Sequence, residues 1–266
     1  MTPSSRFSYK KLAQRTAVAL ATVAACAGAS AALQPFTLNP TGAGLAGPAF
    51  NGDNILISDF STVTFGGGGT TFTDSGFLSF SAIQNGGLTF GPTGLNTDYG
   101  LYIAFSGAGT TSGGDPATTA QTGTFTSLTY TLYGYNGTAT FGFSGNTPTE
   151  TASGEVALAH GSLMFGSVTS TPNGDGTFTP TANAKLSFIV DNAAFFQSPS
   201  PFYNLALTAF TNTSSEVEAF DGGFRIRQGG GSLNFAATPA VPEPETYALL
   251  LGGLAAVGFV ARRRRT

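Results

Sequence analysis

The sequence contains no tryptophan, one cysteine and one histidine, and charged residues make up only 9% of its 266 positions. A lone cysteine excludes a disulfide framework, and a lone histidine excludes a metal site built from a histidine cluster. Low charge combined with 12% aromatic residues is unlike ordinary disorder, which requires low hydrophobicity and high net charge. The 37 glycines and 24 phenylalanines indicate instead an all-β protein with glycine-rich turns.

Positive charge is concentrated at the two ends of the chain. Between residues 32 and 240, three basic residues (Lys185, Arg225 and Arg227) face twelve acids, which leaves this segment with a net charge of −9. Such a segment lacks the basic surface with which proteins bind phosphate backbones, so nucleic acid is excluded as its partner. The basic ends therefore need a separate explanation.

The amino terminus has the three parts of a secretory signal peptide in their usual order. A basic region precedes a short apolar segment at residues 16–27, and Ala29 and Ala31 then form an A-x-A cleavage site. Residues 1–31 are therefore predicted to be a signal helix that signal peptidase removes after export by the general secretion machinery. Cys26 has two interpretations: an apolar filler that is lost on cleavage, or a lipidated amino terminus.

The carboxyl terminus combines a proline-rich turn, an apolar run and a basic cluster. Pro242 and Pro244 favour an extended backbone around Glu243. A peptidase can bind such an extended segment in its active site without first unfolding a domain. Residues 247–261 carry no charge, and as a helix they span about 22 Å, short of a hydrocarbon core of about 30 Å. Four arginines follow, and they are predicted to stay on the cytoplasmic side of the membrane. They are Arg262, Arg263, Arg264 and Arg265.

This order of parts resembles the PEP-CTERM sorting signal, whose motif matches Val241, Pro242, Glu243 and Pro244. The resemblance implies a substrate of exosortase, a membrane-embedded peptidase of Gram-negative bacteria. It also implies transient insertion of residues 240–266 in the inner membrane, then transfer to the outer surface or the extracellular matrix. A permanent membrane anchor is the alternative for this tail.

Residues 32–239 are predicted to form one β-rich domain, because short apolar and threonine-rich runs alternate with Gly, Asn, Asp and Pro. Nine or ten strands over this length favour a single β-sandwich or jelly-roll-like domain. The pair Asn136-Gly137 is typical of a two-residue hairpin turn. It predicts that residues 130–135 pair with residues 138–143, with Tyr133 and Tyr135 on the wetter face.

Catalytic and cofactor motifs are not recognisable in this domain. Residues 42–47 read G-x-G-x-x-G, but Pro48 follows at once and no helix is predicted there, so a dinucleotide cofactor is not expected. The acids are scattered and are interpreted as solvated charges. We therefore predict no catalytic residues, no cofactor and no metal. Tyr133 and Tyr135 are the candidates for contact with a polysaccharide.

A second resemblance concerns the domain itself. The stretches "FTLNPTGAGLAGPAFNGDNILISDFSTVTF" and "GLNTDYGLYIAFSG" are similar to the flocculation-associated group of PEP-CTERM proteins. This resemblance implies a non-enzymatic matrix protein that promotes floc or biofilm cohesion together with exopolysaccharide. The alternative is a secreted carbohydrate-binding module or glycoside-acting enzyme that carries the same sorting tail.

Overall fold

The computed structural model describes residues 33–237, and this part of the chain is all-β, as predicted, with three short 3-10 helices. The first strands are Phe36–Leu38 (β1), Phe50–Gly52 (β2), Asn54–Gly66 (β3), Thr71–Asn85 (β4) and Leu88–Thr89 (β5). The middle strands are Tyr99–Thr111 (β6), Gln121–Asn136 (β7), Phe141–Ser144 (β8), Thr147–Glu150 (β9) and Val156–Pro172 (β10). The last strands are Phe178–Ser187 (β11), Ile189–Val190 (β12), Phe196–Ser198 (β13), Leu205–Thr211 (β14), Val217–Phe220 (β15) and Gly223–Ala236 (β16). The 3-10 helices are Pro40–Ala43, Gly67–Gly69 and Ser214–Glu216.

Several predictions concern segments outside this range. The signal peptide (1–31), the sorting motif (241–244), the apolar helix (247–261) and the arginine cluster (262–265) all lie outside the described residues. Within residues 33–237, no helix combines the length and the apolar character needed to cross a bilayer.

Eight antiparallel strands close into a barrel in the order β11-β14-β16-β3-β4-β6-β7-β10, and β10 pairs again with β11. The predicted sandwich or jelly roll is therefore wrong in its architecture. A sandwich needs two sheets with free edges, whereas here the ladder continues around the whole circumference. Long strands make closure possible, since those from β3 to β10 in this order have 13 to 17 residues.

Along each barrel strand, side chains point alternately into the barrel and away from it, and the inward ones fill its interior. On β3, Ile55, Ile57 and Val63 are buried, while the residues of opposite parity from Asn54 to Thr62 are half-buried on the outer face. An eight-stranded barrel has an interior just wide enough for side chains or one small ligand. Gly76 on β4 allows a close approach there, because a Cβ would overlap the carbonyl oxygen of Phe60 on β3.

An aromatic cluster closes one end of the barrel. The small sheet β13-β1-β2 lies at this end, where Phe36 of β1 packs edge-on against Phe235 of β16 at 5.2 Å between ring centroids. Phe188 packs against both Phe196 and Phe235, at 5.3 and 5.0 Å. We call this the closed end. Both Phe36 and Phe235 are almost fully buried, so the cluster extends the hydrophobic core beyond the barrel itself.

The hairpin predicted at Asn136-Gly137 is wrong. β7 pairs with β6 and β10 along its length, and β8 forms a separate hairpin with β9. Tyr130 and Leu132 are in the core, as predicted, but Phe141 is half-buried on the outer face of the barrel. It packs there against Phe60, Phe77 and Tyr102.

Candidate functional site

A cavity of about 110 Å³ lies inside the barrel, displaced from the closed end. Its apolar wall includes Phe72, Phe125, Phe210 and Phe224, and Phe72 meets Phe125 edge-on at 5.3 Å. Every one of the eight barrel strands contributes to the lining. Such a concave, mostly apolar space with a few polar groups is the usual form of a small-molecule site.

Two carboxyl groups point into this cavity. Asp59 shares the inward parity of Ile57 on β3, and Asp74 shares that of Phe72 on β4. In the β3–β4 ladder, the pair Ser61 and Gly76 lies between the two acids, and Gly76 adds no side chain there. Asp59 is only 5% exposed; Asp74 is partly buried as a residue, but its Oδ1 atom is shielded from solvent.

Burial raises the pKa of both acids. The pKa of Asp59 lies well above its usual range, chiefly because the charged form loses its hydration and secondly because Asp74 repels a second negative charge. Burial raises the pKa of Asp74 to about 7. Ser61 lies close enough to lower both pKa values, although its hydroxyl forms no hydrogen bond within ordinary geometric limits. The pair is therefore partly protonated around neutral pH.

Several buried oxygen atoms have no hydrogen-bond partner among the described residues. In and beside the cavity they are Oδ1 of Asp59, Oδ1 of Asp74, Oγ of Ser61, Oγ of Ser170 and Oδ1 of Asn212. A buried polar group left unpaired costs about 1–3 kcal/mol. Nearly all buried polar groups in proteins do have partners, so this concentration at one place indicates a site built for something it binds.

The predicted polysaccharide contacts lie on the outer face of the barrel. Tyr133 is half-buried and stacks on Tyr102, with 5.3 Å between ring centroids. Tyr135 is only 3% exposed, so its ring is not available at the surface, contrary to the wet face predicted for it. The hydroxyl of Tyr102 donates to Glu155 at 3.2 Å. Contact of Tyr133 with a polysaccharide stays a prediction.

Other charged side chains form exposed pairs. His160 Nδ1 lies 2.8 Å from Asp191 Oδ2, and both side chains are at least one third exposed. Glu218 binds Arg225 and Arg227, which both lie over the ring of Phe143. The Arg225 hydrogen bond lowers the pKa of Glu218. Within the described part of the chain, no group of three or more His, Cys, Asp or Glu side chains is placed to hold a metal ion.

The sequence-based interpretation missed the carboxyl pair, because it treated the acids as solvated. The signal was present in "ILISDFSTV", where alternation gives Asp59 the same parity as Ile55, Ile57 and Val63. A charged residue in phase with an apolar face is the pattern of a buried acid rather than of a solvated one.

The described residues thus form an eight-stranded β-barrel with two acidic side chains in its internal cavity. The model of the PEP-CTERM protein-sorting motif matches residues 240–265, which confirms the predicted resemblance. The chain therefore carries a PEP-CTERM sorting motif at residues 240–265. This motif implies recognition by exosortase, a membrane protease, and passage through a membrane to the cell surface or the extracellular space. No curated protein and no solved structure matches the chain.

Proposed function

We propose that the protein is a non-enzymatic component of the extracellular matrix of a Gram-negative bacterium, where it promotes floc or biofilm cohesion with exopolysaccharide. The observation that carries this proposal is the sorting motif at residues 240–265, since it directs the domain to the compartment in which cells and polysaccharide meet. In this proposal signal peptidase removes residues 1–31, and the tail enters the inner membrane transiently. Exosortase then recognises Pro242-Glu243-Pro244 and releases or attaches the domain.

The outer surface of the barrel supports a role with polysaccharide. β6, β7 and β10 carry exposed hydroxyl groups, and in their ladders Thr110 lies opposite Thr124 and Thr129 lies opposite Ser162. Hydroxyl groups both donate and accept hydrogen bonds, as the hydroxyls of sugars do. Because this face carries few charges, a neutral polymer can contact it without removing many charged groups from water, which would cost free energy.

The cohesion proposal is tested by deleting the gene and restoring it in the same strain. We expect the deletion to abolish aggregation, because the matrix loses the protein that links cells to polysaccharide, and to leave polysaccharide hydrolysis in the culture unchanged. Settling rate and reducing-sugar release measure the two effects. The restored strain is the control, and flocs of normal size in the deletion strain would contradict the proposal.

The enzymatic alternative draws on the carboxyl pair, since two acids with separated pKa values are the machinery of glycoside hydrolysis. Burial argues against it, because Asp59 is 5% exposed inside the barrel and a polymer chain does not reach it. We expect purified protein to release no sugar from the exopolysaccharide of the producing strain. Release that disappears in Asp59→Asn would establish the enzymatic reading instead.

Sorting depends on the turn at the start of the tail. We expect the double variant Pro242→Ala with Glu243→Ala to remain in the inner membrane with residues 240–266 attached, because exosortase no longer finds its extended motif. Intact-mass analysis of membrane and culture fractions measures this. Thr238→Ala, which lies before the motif, is the control, and normal processing of the double variant would refute recognition by exosortase.

A further inference from the structure

We propose that the cavity inside the barrel binds a small primary or secondary amine, whose ammonium group donates to Asp59 and Asp74 and whose short apolar body packs against the phenylalanine wall. This inference is independent of the matrix function, since it concerns the inside of the barrel and not its surface. It rests on the size of the cavity, the chemistry of its polar atoms and the sign of its charge.

The size of the cavity limits the ligand to one ring or a short chain. The cavity volume is about 110 Å³, and an engineered protein cavity of about 150 Å³ takes up benzene. A sugar polymer or a lipid chain is far larger. The space therefore fits a single small molecule surrounded by the strands of the barrel.

The polar atoms of the cavity select a hydrogen-bond donor. Three of the unpaired oxygens, on Asp59, Asp74 and Asn212, are carboxyl or amide oxygens that accept hydrogen bonds, and the Ser170 hydroxyl also accepts. An ammonium group brings two or three N–H donors on one atom, so it satisfies several of these acceptors at once. A carboxylate or phosphate ligand would bring acceptors and negative charge to the two acids.

The charge of the lining selects a cation. Asp59 and Asp74 are the charged residues of the wall, and none of its described side chains is basic. Around the acids the wall is aromatic and apolar, with Phe105 and Phe210 among its members. Aromatic faces attract cations, and the apolar surroundings strengthen an ion pair by excluding water. Two carboxyl groups are few for Ca²⁺, which takes six to eight oxygen ligands.

Protonation of the acids competes with the amine. The titratable groups that face the cavity are Asp59, Asp74 and Tyr130, and the Tyr130 hydroxyl already donates to the carbonyl oxygen of Ser187 at 2.9 Å. Burial raises the pKa of Asp74 to about 7, so the pair carries more negative charge at pH 8 than at pH 5. An amine that stays protonated over this range is therefore expected to bind more tightly at the higher pH.

The test uses the mature secreted protein and four probes: benzylamine, n-butylamine and their neutral counterparts benzyl alcohol and n-butanol. Isothermal titration and thermal shift measure affinity at pH 5 and pH 8. We expect at least one amine to bind at pH 8 about tenfold or more tightly than its alcohol, since hydrogen bonds to charged groups are stronger than neutral ones. At pH 5 this preference is expected to shrink.

Matched variants locate the binding. Asp74→Asn keeps the shape of the side chain and removes its charge, and we expect it to abolish the preference for the amine. Asp175→Asn lies in an exposed turn outside the barrel and is expected to bind like the unchanged protein. Phe210→Leu, which enlarges the space but keeps both acids, is expected to retain the preference for the amine if it folds.

Three results would overturn the proposal. The first is equal binding of amines and alcohols, which would make the cavity a merely apolar one. The second is no binding of any probe together with a crystal structure in which ordered waters satisfy the five unpaired oxygens. The third is stabilisation by Ca²⁺ alone that disappears in Asp74→Asn, which would assign the acids to a metal.

Discussion

Raising the pH is expected to destabilise the barrel, against the usual behaviour of proteins. Asp74 has a pKa of about 7 in the folded chain and an ordinary value of 3.8 when unfolded. The folded state therefore binds more protons than the unfolded state between these values, and the free energy of unfolding falls as the pH rises. Between about pH 4.5 and about pH 8, Asp74 alone removes up to about 3 kcal/mol, and Asp59 acts in the same direction.

Guanidinium unfolding followed by circular dichroism at the two pH values measures this loss. Asp74→Asn removes the titration, so this variant is expected to be more stable than the unchanged protein at pH 8 and to show a smaller change with pH. The exposed control Asp175→Asn keeps the full dependence. A free energy of unfolding that is constant or rises from pH 4.5 to pH 8 would refute the argument that both acids are buried in the barrel.

Two further predictions concern packing, and chemical unfolding measures both. Gly76→Ala is expected to cost about 1–3 kcal/mol, because a Cβ there overlaps the backbone of β3, whereas Gly142→Ala meets open space and serves as its control. Phe235→Ala is expected to cost about 3–5 kcal/mol, because the ring is 2% exposed in the aromatic cluster of the closed end. Leu88→Ala, at a position 75% exposed, is its control. Equal stability within either pair would contradict the packing described here.

Much of the strand arrangement could be predicted from local patterns. The run "NILISDFSTVTF" is rich in β-branched and aromatic residues, which favour strands, and it forms β3 almost to the residue. The stretch "TPNGDGTFTP" is rich in residues typical of turns, and it joins β10 to β11, where Asn173 N donates to Thr177 O at 2.9 Å. Closure of the sheet could not be predicted in this way, because the pairing of β11 with β14 and β10 depends on contacts far apart in the sequence.

The misplaced hairpin has a specific cause. Gly137 has a φ of 79°, so the backbone does turn at Asn136-Gly137. Asn136 does not tie two strands together, however: its side chain accepts a hydrogen bond from Ala46 N and donates one to Gly44 O. An Asn-Gly pair predicts only that the backbone turns locally. Here the strand after the turn, β8, pairs with β9 and not with β7.

The carboxyl pair was predictable in part. Parity places Asp59 on the buried face of β3, and the same reasoning applies to Asp74 in "FTDSGFLSF", two residues after Phe72. That both acids meet at one cavity could not be read from the sequence, since it requires the register that sets Ser61 opposite Gly76. A slip of the β3–β4 ladder by two residues would separate them without changing which face each occupies.

The closed end also determines how the domain is presented. β1 begins there and β16 finishes there, so the described chain enters and leaves the barrel on the same side. The hairpin turns that join β10 to β11 and β15 to β16 lie at the opposite end of the barrel. A partner that contacts the closed end therefore leaves these turns exposed to the medium.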